Sequence, residues 1–334
     1  MKSVEKNEFL ELSELDVMEE SIWKFDSSIL RRLLQDKTTK KNILWATRDY
    51  ESLGPEYGET CEILPELITG ESTLLIQPRS AKAKEEQIAR TRDKAEVFTP
   101  SWVCNCQNNL VDIEWFGRPY VFNSETDEGW ITKEEPIDFS DTGKDWKQYV
   151  DAQRLEITCG EAPYLVSRYD TVTGEPIPVH DRIGLLDRKM RVVSENANTE
   201  EEWVEWSIRA LQSVYGFEYQ GDNVLLAREN LFLSYIDYYK DRHRKNPDTD
   251  LLRMVANIIA WNIWQMDGMK YVVPNSCHEA TVEQFDLLGN SIATEPCPGC
   301  KYDKPFSHNG IYCMIQDWRS KMSVRFADMM KGWE

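Results

Sequence analysis

Residues 155–165 read LEITCGEAPYL, and the interpretation of this stretch decides the fold. An acidic-apolar run, Leu155-Glu156-Ile157-Thr158, passes straight into Cys159-Gly160-Glu161-Ala162 and then into a helix start. A strand that stops on a glycine turn, with a carboxylate at its end, is where α/β proteins hold nucleotide-like ligands. The glycine lets the backbone approach closely, and the next N–H groups point at the ligand. Alone, the stretch also fits an ordinary strand-turn-helix corner, so the rest of the chain must complete the chemistry.

The chain has 334 residues, 41% of them hydrophobic, with 12 Trp, 14 Tyr and 11 Phe. That is enough apolar material for a sizeable core in one large or two ordinary domains. No apolar run approaches the roughly 20 residues of a membrane span, and the N-terminus lacks the apolar stretch of a signal peptide, so a cytoplasmic protein is expected. The net charge is −19, from 58 acidic against 39 basic residues. A duplex-binding surface is basic, so this balance counts against tight DNA binding by the isolated chain.

Four segments are expected along the chain. Residues 1–75 hold an acidic arm (Glu5, Glu8, Glu11, Glu14, Asp16, Glu19, Glu20) and a lead-in of short apolar runs broken by Gly and Pro. Residues 76–150 contain a basic helical stretch, Arg79 to Lys94, then Phe98-Thr99-Pro100, a helix that Thr99 can cap, and a long loop. Residues 151–274 begin with a short buried strand at 154–158 and a hairpin within 171–193. Three helices follow, the first opened by Thr199 with Glu202 and apolar on one face from Val204 to Tyr215, ending at Gly216. A short strand around Asp267 closes this segment. Residues 275–334 are Cys-rich and end in a further strand.

Three features belong together: the Phe-Thr-Pro turn, the strand with its Cys-Gly-x-Ala turn, and a second strand carrying Asp267. Their order resembles the amino-methylating DNA methyltransferases, especially N6-adenine enzymes that are modification subunits of restriction systems. RDKAEVFTPSWVCN is similar to the family's first motif, LEITCGEAPYL to its glycine-rich turn, NIWQMDG to the end of its second strand and IYCMIQDW to its third motif. The resemblance implies a Rossmann-like S-adenosylmethionine-dependent fold. It implies that Phe98, Thr99 and Pro100 cover the methionine end, and that Glu156, Cys159, Gly160, Glu161 and Ala162 form the turn. Asp267 then binds the ribose hydroxyls, Asp317 lies near the adenine amine, and Trp318 offers a stacking plane.

The family's catalytic motif is an Asp or Asn, two prolines and an aromatic residue, which hold and stack the flipped base. The chain contains none. Asp303-Lys304-Pro305-Phe306 has one proline and precedes the third motif, and Glu161-Ala162-Pro163-Tyr164 lies inside the cofactor turn. The expectation is therefore the first half of the sheet, cut off before its catalytic half and inactive alone. A protein partner would supply that half, with DNA reached only through it. The competing expectation is an inactive acidic binding protein, such as a phage anti-defence factor that occupies a DNA-binding host defence protein.

Of eight cysteines, four fall within residues 277–313. A disulfide framework is not expected in a cytoplasmic chain of this size. Cys297-Pro298-Gly299-Cys300 is a turn that can present two thiolates to one structural zinc, with Cys277, Cys313, His278 or His308 completing a tetrahedron. Reduced buried thiols and a redox pair are the other readings of the same residues.

Overall fold

The computed structural model describes residues 19–81, 99–286 and 289–332. Most of the expected acidic arm, residues 82–94 of the basic stretch, and Phe98 lie outside these residues. The fold is mixed α/β, with ten helices and four small sheets among the described residues. In chain order the first elements are α1 (Glu19–Leu34), α2 (Pro65–Ile68), α3 (Ser101–Phe116), strands β1 (Asn123–Thr126) and β2 (Gly129–Thr132), and α4 (Trp146–Asp151). Then come β3 (Arg154–Ile157), α5 (Leu185–Asn196), α6 (Glu200–Gln212), β4 (Val214–Glu218), α7 (Gly221–His243), α8 (Thr249–Asn262) and β5 (Ile263–Gln265). The remainder is β6 (Ala280–Asp286), β7 (Gly289–Glu295), α9 (Pro298–Tyr302), β8 (Met314–Asp317), β9 (Met322–Arg325) and α10 (Phe326–Met330).

One sheet positions everything that follows. Strands β3, β4 and β5 are parallel in the order β3-β4-β5, with Arg154 opposite Val214 and Gly216 opposite Ile263. Parallel neighbours need long crossovers, here supplied by α5 with α6 and by α7 with α8. Strand β4 is buried along its whole length and so is β5, as expected for strands covered on both faces. The other three sheets are two-stranded antiparallel ladders, β1-β2, β6-β7 and β8-β9.

Several local expectations are corrected. Val214–Glu218 is a strand, so Tyr215 and Gly216 belong to the sheet and not to the tail of the preceding helix. The expected hairpin within 171–193 is a single bridge between Tyr169 and Pro176, followed by α5. Prolines 176 and 178 stop the ladder, and the Asp187 carboxylate fixes the helix start by accepting the Gly184 and Ser167 N–H groups. Helix α3 starts at Ser101, whose N–H donates to Asp170 (2.8 Å), so Asp170 takes the capping role expected of Thr99. Thr199 does cap α6, accepting from the Glu202 N–H. Strand β3 buries Glu156 while Leu155 and Ile157 are 45% and 66% exposed, the two apolar side chains sharing the opposite face.

Buried apolar residues from Ile22 to Ile263 form one core, which joins α1 and the residues after it to the helices flanking the sheet. A second cluster, Tyr215, Phe217, Trp264, Met266 and Phe326 among its members, lies between β4, β5 and the C-terminal elements. No helix among the described residues is long and apolar enough to cross a membrane.

Candidate functional site

Because β3, β4 and β5 are parallel, their C-terminal ends share one edge, and the backbone there is drawn together. The Cys159 N–H extends the ladder to the Phe217 carbonyl (2.9 Å), and the Gly160 N–H donates to Glu218 Oε2 (3.0 Å). Thr158, Gly160 and Ala162 all take positive φ (48°, 52° and 64°), so the chain turns sharply three times in five residues. Among the described residues a Cβ at Gly160 would meet no atom within 4 Å, which leaves one side of the turn open to a ligand. No regular helix follows; residues 162–166 close in tight turns, with Leu165 and Val166 donating to the Ala162 carbonyl.

Glu218 is the acid at the end of the second strand. Its Oε1 accepts the N–H groups of Tyr219 (2.7 Å) and Gln220 (3.2 Å), while burial pushes its pKa up against these bonds. Glu156 lies one strand away. Burial holds its carboxyl well above the usual range, and the charge of Glu218 adds to the shift. Its Oε1 sits 3.5 Å from the Tyr164 N–H, and its Oε2 has no hydrogen-bond partner among the described residues. Asp267 follows the third strand and not the second. It pairs with Lys270 (3.0 Å), and its Oδ1 accepts the Met269 N–H. Sequence reasoning missed Glu218 because VYGFE continues an apolar helical spacing. The signal was there: a short apolar run, Val214 to Phe217, ends on an acid just before Tyr-Gln-Gly-Asp.

The Thr-Pro turn meets the glycine turn. The Tyr164 side chain lies near Thr99 and Cys104, Thr171 donates to the Thr99 carbonyl, and the Asn108 amide donates to the Tyr164 carbonyl. Other expected ligand residues point inward. The Glu161 carboxylate accepts from the Tyr169 hydroxyl (2.7 Å), and Cys159 is buried beneath Gly216.

Asp317 and Trp318 lie at the other end of the sheet. The Trp318 indole donates to Asn262 (2.7 Å), the residue directly before β5, and Asn262 donates to the Leu211 and Val214 carbonyls. Strand β8 starts beside the Gln265 carbonyl, which accepts from Cys313, and runs back past Tyr215, whose hydroxyl donates to the Gln316 carbonyl. These two residues therefore stand a strand length away from Gly160, Glu218 and Asp267.

A second group gathers after β5. Ligand atoms of Cys277, Cys297, Cys300 and His308 all lie within 4.8 Å of one another. Of the four residues that could complete the Cys297–Cys300 pair, Cys277 and His308 are in place, whereas Cys313 is buried in the second apolar cluster with its thiol on the Gln265 carbonyl. A cleft of about 320 Å³ is lined by Arg168, Tyr169, Arg182, Asp237 and Lys240. Compared with known proteins, the chain matches no protein-family model, no curated protein and no solved structure.

Proposed function

We propose that the chain is an S-adenosylmethionine-binding protein related to DNA N6-adenine methyltransferases, with β3, β4 and β5 as the first three strands of a Rossmann-like sheet. One observation carries the reading: at the shared C-terminal edge, the open glycine turn after β3 is hydrogen-bonded to the carboxylate that ends β4. Such an edge is where open parallel sheets receive ligands, and a carboxylate there suits a ribose diol. In this reading Glu218 accepts the two ribose hydroxyls, a role the resemblance gave to Asp267. Asp267 is then left near the adenine, and Thr99–Pro100 flank the methionine end. Asp317 and Trp318 take no part.

The test is calorimetry with S-adenosylmethionine and its demethylated product. Wild-type chain should bind, and Glu218→Ala should weaken binding by about 1.5–3 kcal/mol, the range for hydrogen bonds to a charged group. Asp317→Ala should bind as wild type does. Failure of the wild-type chain to bind either molecule would sink the proposal.

Methyl transfer needs acceptors and an aromatic plane for the flipped base, and no Asp/Asn-Pro-Pro-aromatic stretch occurs in the chain. The edge of β3 that no strand pairs among the described residues, with Leu155 and Ile157 exposed, is where a further strand would add them. The reading therefore includes a partner that docks along β3, and the chain alone should leave adenine-containing DNA unmethylated. The net charge of −19 favours a second reading, an inactive acidic protein that occupies a basic DNA-binding partner. That reading is supported if such a partner binds while the cofactor does not.

A further inference from the structure

The group after β5 has the dimensions of a metal centre. His308 Nδ1 lies 3.5 Å from Cys277 Sγ, 3.5 Å from Cys297 Sγ and 3.6 Å from Cys300 Sγ. A tetrahedral zinc with Zn–S of ~2.3 Å and Zn–N of ~2.05 Å has an S···N edge of about 3.6 Å. All three sulfur-to-nitrogen distances match that edge, and all three converge on the same ring nitrogen. A set of packed neutral thiols has no reason to surround one imidazole nitrogen at equal distances.

The surrounding chain is shaped to hold this geometry. Cys297 and Cys300 flank Pro298-Gly299, and α9 begins at Pro298. A Cβ on Gly299 would stand 2.5 Å from the His308 ring, and one on Gly310 would stand 3.0 Å from Cys277 Sγ. The Asn309 N–H donates to Cys297 Sγ (3.2 Å), a bond that favours the thiolate a metal requires. The Asn309 side chain also clamps the segment of Cys277, donating to the His278 carbonyl (2.7 Å) and accepting the His278 N–H (3.2 Å).

We propose that Cys277, Cys297, Cys300 and His308 Nδ1 bind one structural zinc ion. Four protein ligands leave no open position, which is the arrangement of a structural and not a catalytic site. The ion staples the legs of the β6–β7 hairpin, since Cys277 precedes β6 and Cys297 follows β7, and joins them to the loop after α9. It does not depend on cofactor binding, so the two proposals stand or fall separately.

The test uses the full chain purified without chelator. Elemental analysis should find about one zinc per chain, and replacement by cobalt(II) should give the intense visible absorption of a tetrahedral site with thiolate charge-transfer bands. Cys297→Ser and His308→Ala should lose the metal, while Cys313→Ser keeps it. Because those variants can fail to fold for other reasons, His308→Cys is the decisive partner: it should retain one zinc and strengthen the charge-transfer bands. A wild-type chain that neither carries nor takes up zinc would overturn the assignment. Loss of metal in Cys313→Ser, with retention in His308→Ala, would also do so.

Discussion

Buried carboxyls in this chain differ by what faces them. Glu218 receives three backbone N–H groups, and Asp112 receives the Arg188 guanidinium. Glu19 and Glu229 receive neither; they are buried near each other, with no side-chain hydrogen-bond partner for either among the described residues. Burial pushes Glu19 from 4.5 up to about 8, and burial with the Glu19 charge pushes Glu229 well above the usual carboxylate range. Such groups are protonated when folded and ionised when unfolded near neutral pH, so folding takes up protons. Their contribution to stability is complete below about pH 4.5 and is lost as pH rises towards about 8. Stability of the chain should therefore fall between pH 5 and pH 8, by up to ~1.4 kcal/mol per pH unit for each proton taken up. Glu229→Gln should flatten that slope in urea unfolding; an unchanged slope would show that the pair does not titrate as described.

Among elements, one buried network couples three helices. Arg188 on α5 is 1% exposed, and its guanidinium meets three side chains of α3: Asp112, Asn105 (2.8 Å) and Asn109 (2.9 Å). Asp112 also accepts the hydroxyl of Tyr149 on α4 (2.9 Å), so one ion pair joins three helices. Removing one partner leaves the other as an uncompensated buried charge. Asp112→Ala should cost about 3–5 kcal/mol of stability, whereas Asp112→Ala combined with Arg188→Met should cost less than the sum of the singles. Additive costs in a double-mutant cycle would rule out the coupling. The same network holds the helix that follows the Thr-Pro turn, so the cofactor reading and the fold share a support. The motifs on these elements were legible where they were local. Thr199 caps its helix, the Cys-Pro-Gly-Cys turn presents its thiols, and residues 155–160 form a strand and a glycine turn. What failed was element type at 214–216, where an apolar run fits both periodicities, and at 185–193, read as part of a hairpin.

For the whole molecule, the region before the sheet is built into it. The Leu44 backbone exchanges two hydrogen bonds with the Gln265 amide, both 2.8 Å, and the Gly221 N–H donates to the Trp45 carbonyl (2.9 Å). Arg228, buried on α7, donates to the Leu33 and Gln35 carbonyls. Contact at Gly221 is so close that a Cβ would lie 1.9 Å from the Leu44 carbonyl oxygen and 2.9 Å from Ile63 Cδ1. Gly221→Ala should therefore destabilise the chain by about 3 kcal/mol, read as a lower urea midpoint, because backbone and not a flexible side chain must move. A midpoint equal to wild type would show that the segment at 44–63 yields freely.

By itself the sequence determined the local patterns: a strand running into a glycine turn, a Thr-Pro turn before a helix, paired thiols on a proline-glycine turn, and enough apolar residues for one large core. These depend on spacing between near neighbours, which the backbone's own periodicities make readable. Only the tertiary structure decided which residues share a place. It put Glu218 beside Gly160 and Asp317 at the far end of the sheet. It drew His308 and not Cys313 to the thiols, and left one face of β3 uncovered among the described residues. Strand order, direction and crossover path set those neighbours, and they are fixed by packing across the whole chain.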